Sequence, residues 1–190
     1  MIYFNQLEHP DMEFYHKKDK EPTLTNIARS GCGLCSLCMI VDNLLVGDPL
    51  SLEECLRMYN ETGAGHGVGT DMDILGPAVA ERFGLEYAVT NEPVALLAWL
   101  RRGGMAIIHS GGDREGHIGL LSHGGHYVVA VSCDGNEVCV LDPSYKANKF
   151  DEEGRQGKVR LDPPFYYLDV ADALADTLNR NPHFHLFRRK

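Results

Sequence analysis

The chain has 190 residues, 44% of them hydrophobic, enough for one sizeable core and close to the length of a single domain spanning 1–190. Asp and Glu outnumber Lys and Arg 27 to 18, a net charge of −9, so the surface repels phosphate backbones and anionic lipid, and nucleic acid is not an expected partner. No apolar run approaches the roughly 18 residues of a spanning helix, and the opening MIYFNQLEHPDMEF has no signal-peptide character, which predicts a cytoplasmic protein.

In chain order, GLCSLCMIVDNLLV (33–46) carries apolar side chains at helical spacing, with Gly47 as the stop, and Cys32 falls at the start of that buried helix. Ser51-Leu-Glu-Glu54 has capping-box spacing and opens a second helix that ends near Gly63. A third lies between Asp71 and Gly84, where Gly76-Pro77 must kink it or mark its start. Asn91 is the expected cap of a fourth, EPVALLAWLRR, closed by Gly103-Gly104. The pattern then turns to strands: MAIIHS (105–110), HYVVAVS (126–132) and EVCVLD (137–142), the last two joined by a hairpin turn at 133–136. The glycine-rich segment 110–125 and the polar PSYKANKFDEEGRQGK read as loops. A last helix, LDVADALADTL, precedes a final strand, HFHLFRR. Helices first and mostly antiparallel strands later predict an α+β fold.

The six cysteines, at 32, 35, 38, 55, 133 and 139, sit among apolar neighbours and do not resemble a disulfide scaffold, which fits a reducing compartment. The C-x2-C-x2-C spacing at 32–38 is that of iron–sulfur ligands in ferredoxins, but no Cys-Pro follows it, and on a helix these three side chains fan apart instead of converging. A zinc site would need a distant pair such as the histidines of GHIGLLSHGGH. No metal or cofactor is therefore expected. A helix N-terminus does favour a thiolate, and of the three only Cys32 has that place, with Gly31 and Gly33 leaving room for a substrate backbone. The other cysteines are expected to be core residues. His126, after two glycines at a strand start, and Asp142, before Pro143, fall at the same end of one hairpin, so a hydrogen bond between them is geometrically reasonable. Taken singly, a strand-end His is more often structural and Asp-Pro a common turn start.

Jointly, YFNQ (3–6), SGCGLCSLCM (30–39), GGHYVVAV (124–131) and LDP (141–143) resemble, in that order, the papain-like cysteine peptidases of the bacteriocin-processing, double-glycine leader type, and more closely their free-standing bacterial relatives. The resemblance covers about residues 3 to 145. It implies a papain-like fold and a peptidase acting on a peptide or protein substrate, with Cys32 as nucleophile, His126 as base, Asp142 as the orienting carboxylate and Gln6 as side-chain oxyanion donor. Leu34, Cys35 and Cys38 depart from the family pattern at positions that carry no catalytic role, and 48–125 matches only loosely. The rival readings are an acyl or peptidyl transferase using the same thiol, a peptide-binding module that kept the fold, and a metal protein. Segment 111–124 is a lid or a plain connection, and His109, His117 and His123 are candidates to line the cleft.

Overall fold

The computed structural model describes residues 1–18, 21–47, 49–65 and 69–190. After a 3-10 turn at Gln6–Glu8, strands β1 (Glu13–Lys18) and β2 (Glu21–Asn26) pair as a separate antiparallel ribbon. The helices are α1 (Ile27–Ser30), α2 (Cys32–Leu44), α3 (Leu52–Thr62), α4 (Met72–Arg82), α5 (Pro93–Arg101) and α6 (Val170–Thr177). Strands β3 (Leu85–Thr90), β4 (Met105–Ser110), β5 (His126–Asp134), β6 (Glu137–Leu141), β7 (Val159–Asp162), β8 (Phe165–Asp169) and β9 (Phe184–Arg189) form one antiparallel sheet in the order β3-β9-β4-β5-β6-β8-β7. The architecture is α+β, as the order of helical and strand patterns predicts.

The sheet is buried on both faces, so its central strands read as continuous apolar runs. Ile107, Val129 and Leu141 point to the side covered by α2, α3 and α4, whereas Ile108, Val128 and Val140 point to the side covered by α5 and α6. Cys35, Cys38 and Cys55 are fully buried in the first of these cores.

Local chemistry sets most boundaries. The Ser51 hydroxyl accepts from the Glu54 amide at 3.1 Å, and Gly63 ends the same helix in a left-handed conformation. Asp71 caps α4, and Pro77 lies inside that helix, which neither starts nor stops there. Two expectations fail. Asn91 does not cap α5: Glu92 holds that position without a side-chain bond, and the Asn91 side-chain Oδ1 accepts instead from the His183 amide at 2.8 Å. Leu168 and Asp169 belong to β8, not to the last helix, which Asp169 caps.

One irregularity positions the site. Between Ala130 and Ser132 the β5–β6 register shifts, leaving Val131 as a bulge, so Val129 pairs with Leu141. Continued by one step, that register sets Asp142 opposite position 128, on the face that His126 shares; an unbulged ladder would put Asp142 on the opposite face.

Candidate active site

The nucleophile candidate is delivered by the ribbon. Strand β2 ends at Asn26, whose side chain caps α1 by accepting from the Arg29 amide at 3.0 Å. Gly31 then joins α1 to α2, whose first residue is Cys32. Both flanking glycines are steric necessities. A Cβ at Gly31 would lie 2.6 Å from the Ile27 carbonyl oxygen, and one at Gly33 would lie 2.6 Å from Thr70. The room they leave is thus filled by the protein itself and not, as expected from sequence, by substrate. Being first in the helix, Cys32 has an amide with no intrahelical acceptor.

His126 begins β5 and is 6% exposed. Its Nε2 is 2.7 Å from Asp142 Oδ1 and 3.0 Å from the Ser144 hydroxyl, which leaves Nδ1 for the Cys32 thiol. Asp142 is fully buried yet well supplied with donors: the Ser144 amide at 2.8 Å, the Tyr166 hydroxyl at 3.4 Å, and the ammonium of Lys149, itself nearly buried. The Tyr3 hydroxyl donates to the Asp142 backbone carbonyl at 2.8 Å. Sequence reasoning missed Lys149, Tyr166, Tyr3 and Ser144; Tyr3, the first residue of YFNQ, and Ser144, next to Asp-Pro, stood near a signal.

These contacts fix the charges. Burial opposes ionisation of Asp142, but the cations of Lys149 and His126 outweigh it and hold the carboxyl well below the usual range. Burial also opposes charge on His126, and the Asp142 carboxylate, with the Cys32 thiolate, overrides it and pushes the imidazolium pKa up to about 9. Burial would raise the pKa of Cys32; the hydrogen bond and charge of His126, with the amides of Tyr127 and Gly33, reverse that and hold it below the ordinary thiol value. Cys35 and Cys38, one and two turns further along α2, are pushed up by burial. A thiolate–imidazolium pair at 32 and 126 is the arrangement these environments favour, with the proton on the ring.

Two hollows meet at this pair. One, of about 340 Å³, is bordered by Thr70, His109, Tyr127 and Arg180; the other, of about 450 Å³, by Gln6, Ser144 and Lys149; Arg29, Cys32, Gly125 and His126 line both. Gln6 is 5% exposed, and two contacts hold it: its amide nitrogen donates to the Pro143 carbonyl at 2.7 Å, and its side-chain Nε2 to the Ala28 carbonyl at 3.0 Å. One Nε2 hydrogen remains for a further acceptor.

Of the other histidines, His109 stacks on Tyr127 at 4.5 Å and borders the smaller hollow, and burial, then Arg180, lowers its pKa to about 4. His123 borders the larger one. His117 lines neither: its Nε2 is 2.7 Å from the buried Asp176, whose carboxylate also accepts from the amides of Leu120 and Leu121 at 2.9 and 2.6 Å. Segment 111–124 is thereby tied to α6.

Among solved structures, a protein of Bacillus anthracis assigned as a C39-like peptidase matches 100% of this chain and 94% of its own, with a TM-score of 0.62 and 12% identity. The peptidase domain of Streptococcus ComA, a bifunctional ABC transporter involved in a quorum sensing pathway, matches 84% of this chain and 91% of its own, with a TM-score of 0.52 and 14% identity. No family model and no curated protein matches the sequence. At such identities the likeness is one of backbone. The helix that starts at Cys32, packed on an antiparallel sheet that starts a strand at His126, is the papain-like fold of the C39 peptidases, the bacteriocin-processing type that the sequence resembles.

Proposed function

We propose that the protein is a cysteine peptidase with Cys32 as nucleophile, His126 as general base and acid, Asp142 as the carboxylate that orients and charges His126, and Gln6 as a side-chain oxyanion donor. The reading is carried by one observation: a thiol at a helix N-terminus faces an imidazole whose far nitrogen is held by a buried carboxylate. The Cys32 thiolate attacks an amide carbonyl; the carbonyl oxygen becomes an oxyanion that the Cys32 amide and the remaining Gln6 Nε2 hydrogen neutralise. His126 passes its proton to the leaving amine, and the resulting thioester is hydrolysed by a water that His126 deprotonates. The substrate is a peptide or protein, met by one domain of residues 1–190 in a cytoplasmic setting. Among the described residues no helix is long and apolar enough to cross a membrane.

The test is cleavage of a mixed-sequence peptide library, followed by mass spectrometry, with wild-type protein and Cys32→Ala. New peptide termini that require Cys32 support the reading; products that carry an added amine acceptor in place of a free carboxylate assign it to acyl transfer instead. No Cys32-dependent product of either kind overturns it.

A further inference from the structure

The chain is strongly acidic, yet the smaller hollow beside Cys32 is lined by two arginines and no carboxylate. Arg29 stands at its rim on α1, where the Asn26 cap fixes that turn. Arg180 follows α6; its amide donates to the Thr177 carbonyl at 2.8 Å and its Nε makes a long contact of 3.4 Å to the Ser110 carbonyl. Among the described residues, neither guanidinium has an acidic side chain within ion-pairing distance, which holds also for Arg101, Arg102, Arg114 and Arg189, whereas Arg57, Arg82, Arg155, Arg160 and Arg188 are paired. Asp71 and Asp73 border an adjoining hollow that Arg180 also touches, on the far side of Thr70.

The Arg180 guanidinium lies against the strand end that carries His126: a Cβ at Gly125 would lie 2.7 Å from Arg180 Nη2, so a larger residue there would make the guanidinium shift. His109, on the same wall, is kept neutral by burial and by Arg180 and contributes no charge at neutral pH. What remains is a pair of donor forks without an acidic partner flanking the thiol, and a planar fork of N–H donors matches a carboxylate.

We propose that Arg29 and Arg180 form a carboxylate-binding subsite beside Cys32, selecting peptides with an acidic group near the bond to be cleaved: an Asp or Glu side chain, or a free C-terminal carboxylate. This rests on the cysteine peptidase reading for its consequence in turnover, but not for binding, and the two are measured separately.

Peptides from a positional library in which Glu is exchanged for Gln at each site, and the terminal acid for the amide, are offered to wild-type protein and, for binding by calorimetry, to Cys32→Ala. The expected result is a preference of about fivefold or more for the charged peptide at one position, the size of a partly exposed ion pair. A Glu-over-Gln ratio assigns a side chain, and an acid-over-amide ratio the chain end. Arg29→Gln and Arg180→Gln should each bring the ratio toward one. Arg180→Glu should invert it in favour of Lys at the same position, a gain that a misfolded protein cannot produce. Charge-selective binding by Cys32→Ala without any cleavage by the wild type would sink the peptidase reading and leave the subsite standing. Ratios near one at every position in both assays, or a preference that survives both glutamine variants, overturn the subsite.

Discussion

Removing the thiol should reveal the charge on the histidine as a pH-dependence of stability that the wild type does not have. With its pKa raised from 6.5 to about 9, His126 contributes stability that is complete below pH 6.5 and lost as pH rises through about 9. Cys32, with its pKa lowered from 9.0, contributes stability present above pH 9.0 and lost as pH falls through its folded value. Over the range where both apply, the folded pair holds one proton, on the ring, and the unfolded pair also holds one, on the thiol. The two dependences cancel, and this pair leaves wild-type stability flat. In Cys32→Ala the unfolded state loses that proton while His126 still faces Asp142. Stability should then fall between pH 6.5 and 9, at about 1.4 kcal/mol per pH unit, to a ceiling of about 3 kcal/mol. It is a ceiling because the thiolate supplies part of the shift on His126. Urea unfolding of both proteins at pH 6.5, 7.5, 8.5 and 9.5 measures the difference, in which every other titrating group is common to the pair. Parallel curves across that range would mean that His126 is neutral once the thiol is gone, and the claim that Asp142 holds the charge on His126 would have to be abandoned.

Gln6→Ala should lower kcat by about 100-fold with KM little changed, because the proposed contact is to the developing oxyanion; steady-state kinetics on a cleaved peptide would reassign Gln6 to substrate binding if KM alone moved. Iodoacetamide at pH 6 should label Cys32 ahead of the other five cysteines, and His126→Ala should shift that labelling to higher pH, both read by peptide mass mapping; equal labelling of Cys35 would contradict the environments described for the two thiols. Lys149→Met removes one partner of a buried pair and should destabilise the fold by about 3 kcal/mol, with a much smaller cost in an Asp142→Asn background; additive losses in the double variant would show the pair to be uncoupled. Asp176→Asn should speed hydrogen exchange at the Leu120 and Leu121 amides while exchange in β5 stays slow, and unchanged protection at 120–121 would free that carboxylate from its anchoring role.

The helices were legible because their apolar spacing is regular and their ends carry local chemistry: Ser51 and Gly63 act through neighbours within a turn. Asn91 shows the limit, since a good capping residue is drawn away by an amide 92 positions along the chain. The strands that escaped notice include β1 and β8, which bury alternate residues, but their sequences EFYHKK and FYYLD do not alternate apolar with polar. Ribbon β1–β2 is largely exposed and buries only single positions such as Phe14, His16 and Thr25, while β7 and β8 flank Pro163-Pro164, a dipeptide that reads as a break. At the site, Cys32, His126 and Asp142 stood out through glycines, a helix start and a turn, all short-range signals. Lys149 did not, because its approach to Asp142 depends on the path of the loop after β6, and no spacing in KANKF announces it.

The reactive thiol has a history as well as a geometry. Beyond the helix start and the neighbouring Gly33 amide, the groups that separate Cys32 from an ordinary cysteine arrive from far along the chain: the imidazole from β5 and its carboxylate from beyond β6, whose backbone Tyr3 clasps from 139 positions away. A chain still emerging from the ribosome through α2 therefore carries three commonplace thiols, at 32, 35 and 38, and the first of them gains its distinct environment only when the later strands close over it. The same dependence runs in reverse. A copy that loosens its sheet under heat or acid loses the contacts that set this thiol apart, so its Cys32 returns to the behaviour of an ordinary cysteine.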